Sequence, residues 1–157
     1  YRILLIMIMN SRERLLLSIN HRQPDRVPID LGSSTVTGIS AIAYNNLKTY
    51  LKIEGSTRVF DVVQQLANVD MEIIDLFVVD ALDVNRICEN NDWYPVVLAD
   101  GSKAEYPTWF SPIQAEDGSM YTKNDEGIIL SKMAAGATFF DQMHFPYENG
   151  YPENFKN

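Results

Sequence analysis

The chain has 157 residues, of which 46% are hydrophobic, 22% charged and 11% aromatic, and this composition excludes a disordered or collagen-like segment. Thirteen basic and 21 acidic residues give a formal net charge of −8 at pH 7, which argues against nucleic acid or an anionic membrane as a partner. The one cysteine, Cys88, cannot form an internal disulfide, so we expect a protein of the reducing cytoplasm.

Residues 1–9 form an apolar prefix that is much shorter than the ~20 residues needed to span a bilayer. No small-residue cleavage site follows it, so it does not match a secretory signal peptide. We favour a prefix upstream of a natural start at Met7 or Met9, with a true apolar N-terminus as the alternative. The expected organisation is a prefix outside the fold, followed by one incomplete domain over residues 10–157.

The first elements follow from hydrophobic spacing. Apolar residues three and four apart predict an amphipathic helix over residues 12–20, with Asn10 and Glu13 as a capping-box pair before it. The apolar run over residues 27–31 predicts a buried strand that leads into a loop rich in glycine and serine. Helical spacing returns over residues 39–51, so the predicted order is helix, strand, loop, helix.

The rest of the chain changes character. Residues 58–69 fit both a strand and a helix, so no element is assigned there. Asp70 predicts the N-cap of a short helix, and β-branched residues over 78–84 predict a second buried strand. Three pairs of an acidic residue and glycine then predict the turns of a hairpin meander: Asp100-Gly101, Asp117-Gly118 and Glu126-Gly127. The tail from Phe145 lacks periodicity and is expected to be a loop.

These elements do not complete a domain. Two buried strands of parallel type need several neighbouring strands, and the remaining sequence offers only hairpins. A complete (β/α)8 TIM barrel takes about 250 residues. The sequence therefore predicts an α/β fold that is the N-terminal part of a (β/α)8 TIM barrel, truncated at its C-terminus, with a β-hairpin-rich insertion.

Residues able to ligate metals or act as nucleophiles are sparse. Cys88, His21 and His144 are far apart and show no zinc-ligand spacing, so we expect no metal bound within this chain. The absence of a Gly-x-Ser-x-Gly motif leaves little support for hydrolase chemistry. Four arginines near the N-terminus are expected to form a solvated helix face: Arg12, Arg14, Arg22 and Arg26.

Two carboxylates, Asp30 and Asp80, stand in apolar strand contexts, where an ionised group needs hydrogen bonds or a function. For each of them a structural and a functional role remain open. The loop after Asp30 predicts a segment facing an active site, with an anion cradle as the alternative. Four aromatic residues are expected to pack the hairpins or, if exposed, to line a pocket for a flat ligand: Trp93, Tyr94, Trp109 and Phe110.

A resemblance to a known family rests on several of these segments. From about Met9 onward, and most strongly as far as Leu51, the chain resembles the uroporphyrinogen decarboxylase superfamily, and within it the corrinoid-linked methyltransferase branch. The segments that carry this resemblance are Asn10-Ser11-Arg12-Glu13-Arg14-Leu15, Pro24-Asp25-Arg26-Val27-Pro28-Ile29-Asp30-Leu31-Gly32, Thr37-Gly38-Ile39, Tyr44, Gln64-Gln65-Leu66 and Asp80. Members of the family are (β/α)8 barrels, which agrees with the fold predicted above.

The resemblance implies a site and a choice of branch. Decarboxylases carry an arginine pair after their first strand, whereas this chain has no arginine between Arg26 and Arg58. The resemblance therefore favours methyl transfer from a corrinoid protein to a thiol, with a zinc ion held by a His-x-Cys and a later Cys that this chain lacks. Asp80 matches the catalytic aspartate of the decarboxylases, and the implied substrate-binding residues are Asp30, Gly32, Ser33, Ser34 and Thr37.

Two other functions stay open. One is uroporphyrinogen III decarboxylation in porphyrin biosynthesis, and the other is an inactive truncated or partner-binding product. In either enzymatic case we expect a small-molecule, tetrapyrrole or corrinoid substrate, no cofactor bound by this chain alone, and no nucleic acid or membrane partner.

Overall fold

The structure is a computed structural model that describes residues 9–84, 92–148, 150 and 151. These residues form three α-helices, here α1, α2 and α3, with the bounds Ser11–Ile19, Ala41–Leu51 and Met71–Leu76. A single 3-10 turn covers Thr35–Thr37. None of the helices in the described part of the chain is both long and apolar enough to cross a membrane.

Eight short strands make three separate sheets within the same residues. In chain order, β1 to β8 are Val59–Asp61, Leu66–Ala67, Trp93–Val97, Lys103–Pro107, Ile113–Gln114, Met120–Lys123, Ile129–Met133 and Asp141–Gln142. The sheets are β1-β2, β3-β4 and β5-β6-β7-β8, and every strand pair in them is antiparallel. Each strand therefore pairs with its neighbour in the sequence.

The predicted helices are confirmed, and side-chain capping accounts for the starts of α1 and α2, whereas Asp70 stands at the N-cap position of α3 without a capping hydrogen bond. The Asn10 side chain accepts a hydrogen bond from the Glu13 amide at 2.9 Å, and the Glu13 carboxylate accepts one from the Asn10 amide at 3.1 Å. This capping box satisfies two of the free donors at the start of α1. Helix α2 begins after Ser40, whose hydroxyl accepts from the Ala43 amide, and ends at Lys52 in the left-handed region.

The three predicted hairpin turns are also confirmed. They lie between β3 and β4, between β5 and β6, and between β6 and β7. Gly101 and Gly127 have φ values of +83° and +82°, a conformation that is strained for any residue with a Cβ. The turn residues thus set the register of the strands that they connect. Tyr94 lies opposite Tyr106 in the β3-β4 pair, and Thr122 lies opposite Ser131 in the β6-β7 pair.

The predicted barrel portion is wrong, because the described residues do not alternate helix and strand. Neither residues 27–31 nor residues 78–84 form a strand, and the β-type pairing between the two segments is limited to an isolated parallel bridge between Asp30 and Ala81. A parallel strand needs cover on both faces. Here Val27 is 80% exposed, so the apolar run that predicted a buried strand is not buried.

The hydrophobic core lies elsewhere, between α2, the β1-β2 and β3-β4 hairpins, and the following sheet. Its largest fully buried side chains include Tyr44, Val59 and Ile73. Aromatic rings extend it in edge-to-face contacts, from Tyr106 to Phe110 at 5.3 Å between ring centroids. Burial of this apolar surface stabilises the hairpin half, and of the segments that resemble the known family Tyr44 belongs to this core while Leu31 and Ile39 pack against it.

Candidate functional site

Asp80 is the centre of a buried ion-pair network. Its side chain has no solvent exposure, and it contacts two arginines, the Ser11 side chain and one backbone amide. Oδ1 accepts from Arg14 Nη1 at 2.5 Å and from Arg26 Nη2 at 3.1 Å, and Oδ2 accepts from Arg26 Nη1 at 2.8 Å and from the Ile29 amide at 2.9 Å. These four N–H contacts alone fill a carboxylate that has about four lone-pair sites.

Asp25 extends the network on the side of Arg14. The Arg14 guanidinium donates from Nε to Asp25 Oδ1 at 2.6 Å and from Nη2 to Oδ2 at 2.8 Å, which is a bidentate pair. The Arg14 side chain is only 5% exposed, so the expectation that it belongs to a solvated helix face is wrong. Arg26 also donates to the Val78 carbonyl at 2.8 Å and so ties the 25–29 segment to residues 78–80.

The network changes the acidity of its members. The hydrogen bond from Arg14 is the main cause that lowers the pKa of Asp25 well below its ordinary value. Burial by itself would raise the pKa of Asp80, but hydrogen bonds from the Ile29 amide, Ser11 and the two arginines outweigh it, and the pKa is lowered. Both aspartates are therefore ionised at neutral pH and balance the two arginines.

The loop after Asp30 is closed by its own hydrogen bonds. Asp30 Oδ1 accepts from the Ser33 amide at 3.1 Å, and Asp30 Oδ2 accepts from the Ser33 hydroxyl at 2.6 Å. The Gly32 amide donates to the Thr37 carbonyl at 3.0 Å, and the Ser34 and Thr37 hydroxyls lie 3.3 Å apart. The loop therefore offers hydroxyl groups and one exposed carboxylate, and its side chains make no contact with a cation among the described residues.

Gly32 is required for this loop geometry. Its φ of +86° is unfavourable for other residues, and a Cβ added there would lie 3.1 Å from Val69 Cγ2. The loop thus packs closely against the segment that precedes α3.

The structure brings the predicted site residues to one margin of the molecule. The Asp80 amide donates to the Ile29 carbonyl at 2.7 Å, and the bridge between Asp30 and Ala81 continues this pairing by one residue. These contacts hold Asp80 beside Ile29, the residue that precedes the loop at Asp30. A direct catalytic role for Asp80 stays a prediction.

The zinc implied by the resemblance has no ligand set here. Among the described residues no three His, Cys, Asp or Glu side chains are grouped so that they could hold a metal ion. Cys88 lies outside the described residues. His21 and His144 lie on different parts of the chain, one after α1 and one after β8. No chemical step through zinc is therefore derived for this chain.

A second polar cluster was missed by sequence reasoning. The Tyr44 hydroxyl donates to Asp70 Oδ2 at 3.0 Å and accepts from the Asp70 amide at 2.7 Å, while Lys48 Nζ pairs with the same carboxylate oxygen at 2.8 Å. Burial is the main cause that raises the pKa of Tyr44 above its ordinary value. Tyr44 and Lys48 are four residues apart and so lie on one face of α2. This spacing is the feature of the sequence that could have indicated that the two side chains act together.

Comparison of the chain with protein-family models, with curated proteins and with solved structures gives no match. The site is therefore interpreted from its own geometry and from the sequence motifs.

Proposed function

We propose that this chain belongs to the uroporphyrinogen decarboxylase superfamily and takes part in corrinoid-dependent methyl transfer to a thiol. The observation that carries the proposal is the convergence of the motif residues. Arg14, Asp25, Arg26 and Asp80 come from three of the resembling segments, up to 66 residues apart, and they meet in one buried network. The proposal rests on these side chains and not on a barrel architecture.

The loop over residues 30–38 supports the methyl-transfer branch. A substrate with several carboxylates calls for cations, and arginine is best suited because it binds a carboxylate in a bidentate manner. The nearby Arg14 and Arg26 are already paired with aspartates, and the loop itself presents Asp30 and four hydroxyl side chains. Such a surface suits a small polar substrate better than a polycarboxylate tetrapyrrole.

The division of roles follows from the same residues. Asp30, Gly32, Ser33, Ser34 and Thr37 form the surface that faces the substrate, and Asp80 holds its backbone in place. The corrinoid would be carried by a partner protein, and zinc would be bound by a His-x-Cys and a later Cys, ligands that these 157 residues do not contain. The single cysteine is in keeping with a place in the reducing cytoplasm.

Two activity assays on the protein expressed from its complete reading frame test the proposal. The first follows the loss of methylcobalamin absorbance with a small thiol and zinc, and we expect methyl transfer there. The second incubates the protein with uroporphyrinogen III and separates the products by chromatography. Carboxyl loss in the second assay without methyl transfer in the first would replace our proposal with decarboxylation, and no turnover in both would favour an inactive product.

Two serine variants link an observed activity to the loop. Ser34→Ala removes an exposed hydroxyl that contacts Thr37, and we expect KM to rise by about three- to tenfold, the scale of one lost hydrogen bond. Ser56→Ala is the matched control, because Ser56 is exposed and lies outside the loop. An equal KM for both variants would show that the loop does not face the substrate.

A further inference from the structure

An open groove is lined by residues outside the loop at Asp30. It has a volume of about 740 Å³ and is formed by the β1-β2 connection, the segment before β5, the β6-β7 hairpin and the residues after β8. Small-molecule sites in proteins commonly measure about 300–1,000 Å³. The groove is therefore large enough to hold a ligand with one or two fused rings.

The wall of the groove is aromatic and firmly supported. Trp109 lines it and is 60% exposed. Its ring contacts Phe110 in an edge-to-face arrangement at 6.0 Å between centroids, and the buried Phe110 packs in the same way on Phe140 at 5.5 Å. Ile113 and Leu130 also line the groove. The exposed indole of Trp109 is supported from behind by the packed rings of Phe110 and Phe140. Such a surface favours stacking with a flat ring.

The charge at the groove is positive, although the whole chain has a formal charge of −8. Lys123 lines the groove and makes no ion pair within the described part of the chain, where its Nζ lies 5.0 Å from the centroid of the Tyr121 ring. His144 adds an imidazole, and no residue named in the lining is acidic. In contrast, the polar cleft at Lys48 is lined by four carboxylates.

We propose that this groove binds a planar aromatic carboxylate. The flat ring stacks on Trp109 between Ile113 and Leu130, and the carboxylate accepts a charge-assisted hydrogen bond from Lys123. The imidazole of His144 offers a second donor to the same anion. This site shares no residue with the proposed methyl-transfer site, so each can fail without the other.

Titration of the 157-residue chain with 2-naphthoate, followed by tryptophan fluorescence and by amide NMR shifts, tests the proposal. We expect saturable binding with shifts at Trp109, Lys123 and their neighbours. The neutral analogue 2-naphthylmethanol should bind at least about fivefold more weakly, because it lacks the charge. The aliphatic acid octanoate should also bind more weakly, because it cannot stack.

Two variants and one control test the contacts of the ligand with Lys123 and Trp109. Lys123→Gln and Trp109→Ala should each weaken 2-naphthoate binding by about tenfold, while octanoate binding should fall only with Lys123→Gln. Lys103→Gln, at the exposed first residue of β4 and outside the groove, is the matched charge control and should change binding less than twofold. Circular dichroism checks that each variant remains folded.

Three results would overturn the proposal. The first is the absence of saturable binding up to about 5 mM 2-naphthoate, a concentration that corresponds to negligible affinity. The second is equal affinity for the acid and the alcohol, which would remove the role of Lys123. The third is amide shifts that map to the loop at Asp30 instead of the groove.

Discussion

Replacing Asp80 with asparagine tests the network on which the candidate site depends. The asparagine side chain keeps the shape of the aspartate but loses its charge. Its NH2 group is a donor and must lie against another donor, from Arg14, Arg26 or the Ile29 backbone. Removing one partner of a buried ion pair typically costs about 3–5 kcal/mol. Arg14 keeps Asp25, and the Arg26 side chain is 32% exposed and can be hydrated. We therefore expect Asp80→Asn to lower the free energy of unfolding by about 2–3 kcal/mol.

Urea denaturation followed by circular dichroism measures this loss. With a slope of about 2 kcal/mol/M, the midpoint should fall by about 1–1.5 M. Asp75→Asn is the matched control, because Asp75 is exposed on α3 and its loss should change stability by less than about 0.5 kcal/mol. A second variant, Arg26→Gln, should cost less than Asp80→Asn, and the double variant should cost less than the sum of the two.

Two outcomes would contradict this reasoning. If Asp80→Asn is as stable as the Asp75→Asn control, the network does not hold the 25–30 segment against residues 78–80. If Asp80→Asn and Arg26→Gln are strictly additive, the two side chains are not energetically coupled, whatever their separation.

Further predictions concern pH and packing. Because Asp25 and Asp80 have lowered pKa values in the folded state, stability should be constant from about pH 7 to 5 and should fall below about pH 4 in acid denaturation, less steeply in Asp80→Asn. Burial raises the pKa of Tyr106 to about 12, so stability present below about pH 10 should be lost as the pH rises towards 12, and Tyr106→Phe should reduce that loss. Gly38→Ala should destabilise by about 1–3 kcal/mol in urea, because the added Cβ would lie 2.6 Å from Leu66 Cδ1.

The elements predicted correctly from the sequence are those fixed by local chemistry. The Asn10 capping box, the helical spacing of α2 and the acidic-glycine turns each depend on residues within a few positions of one another. Antiparallel hairpins need no distant partner, so their turns predict them directly.

The two predicted strands failed for a related reason. An apolar run over residues 27–31 or 78–84 shows that a segment suits burial, but not whether neighbours exist to cover it. In the structure Val78 is 60% exposed and Leu82 is 52% exposed. The single bridge from Asp30 to Ala81 shows that the two segments lie side by side, although neither forms a strand.

The candidate site was predictable in its residues but not in its contacts. The motif segments include Arg14, Asp25 and Asp80, but the cluster of arginines to which Arg14 belongs predicted a solvated helix face. Only the fold shows that Arg14 is buried against the carboxylate of Asp80, which lies 66 residues away in the sequence. Sequence patterns cannot predict ion pairs between residues so far apart, because helical and strand periodicities relate only residues within the same element.

The geometry of Asp80 finally restricts what a catalytic role would require. All four of its acceptor positions are occupied, so a substrate N–H can reach the carboxylate only if a present donor leaves. Arg26 is the donor best able to leave, since it is the more exposed arginine and its Nη2 contact is the longest of the four at 3.1 Å. If Asp80 contacts the substrate, Arg26→Gln should leave kcat within about twofold and Asp80→Asn should lower it by about 100-fold. If Asp80 positions the loop, both variants should act mainly through KM, and stability should fall with each.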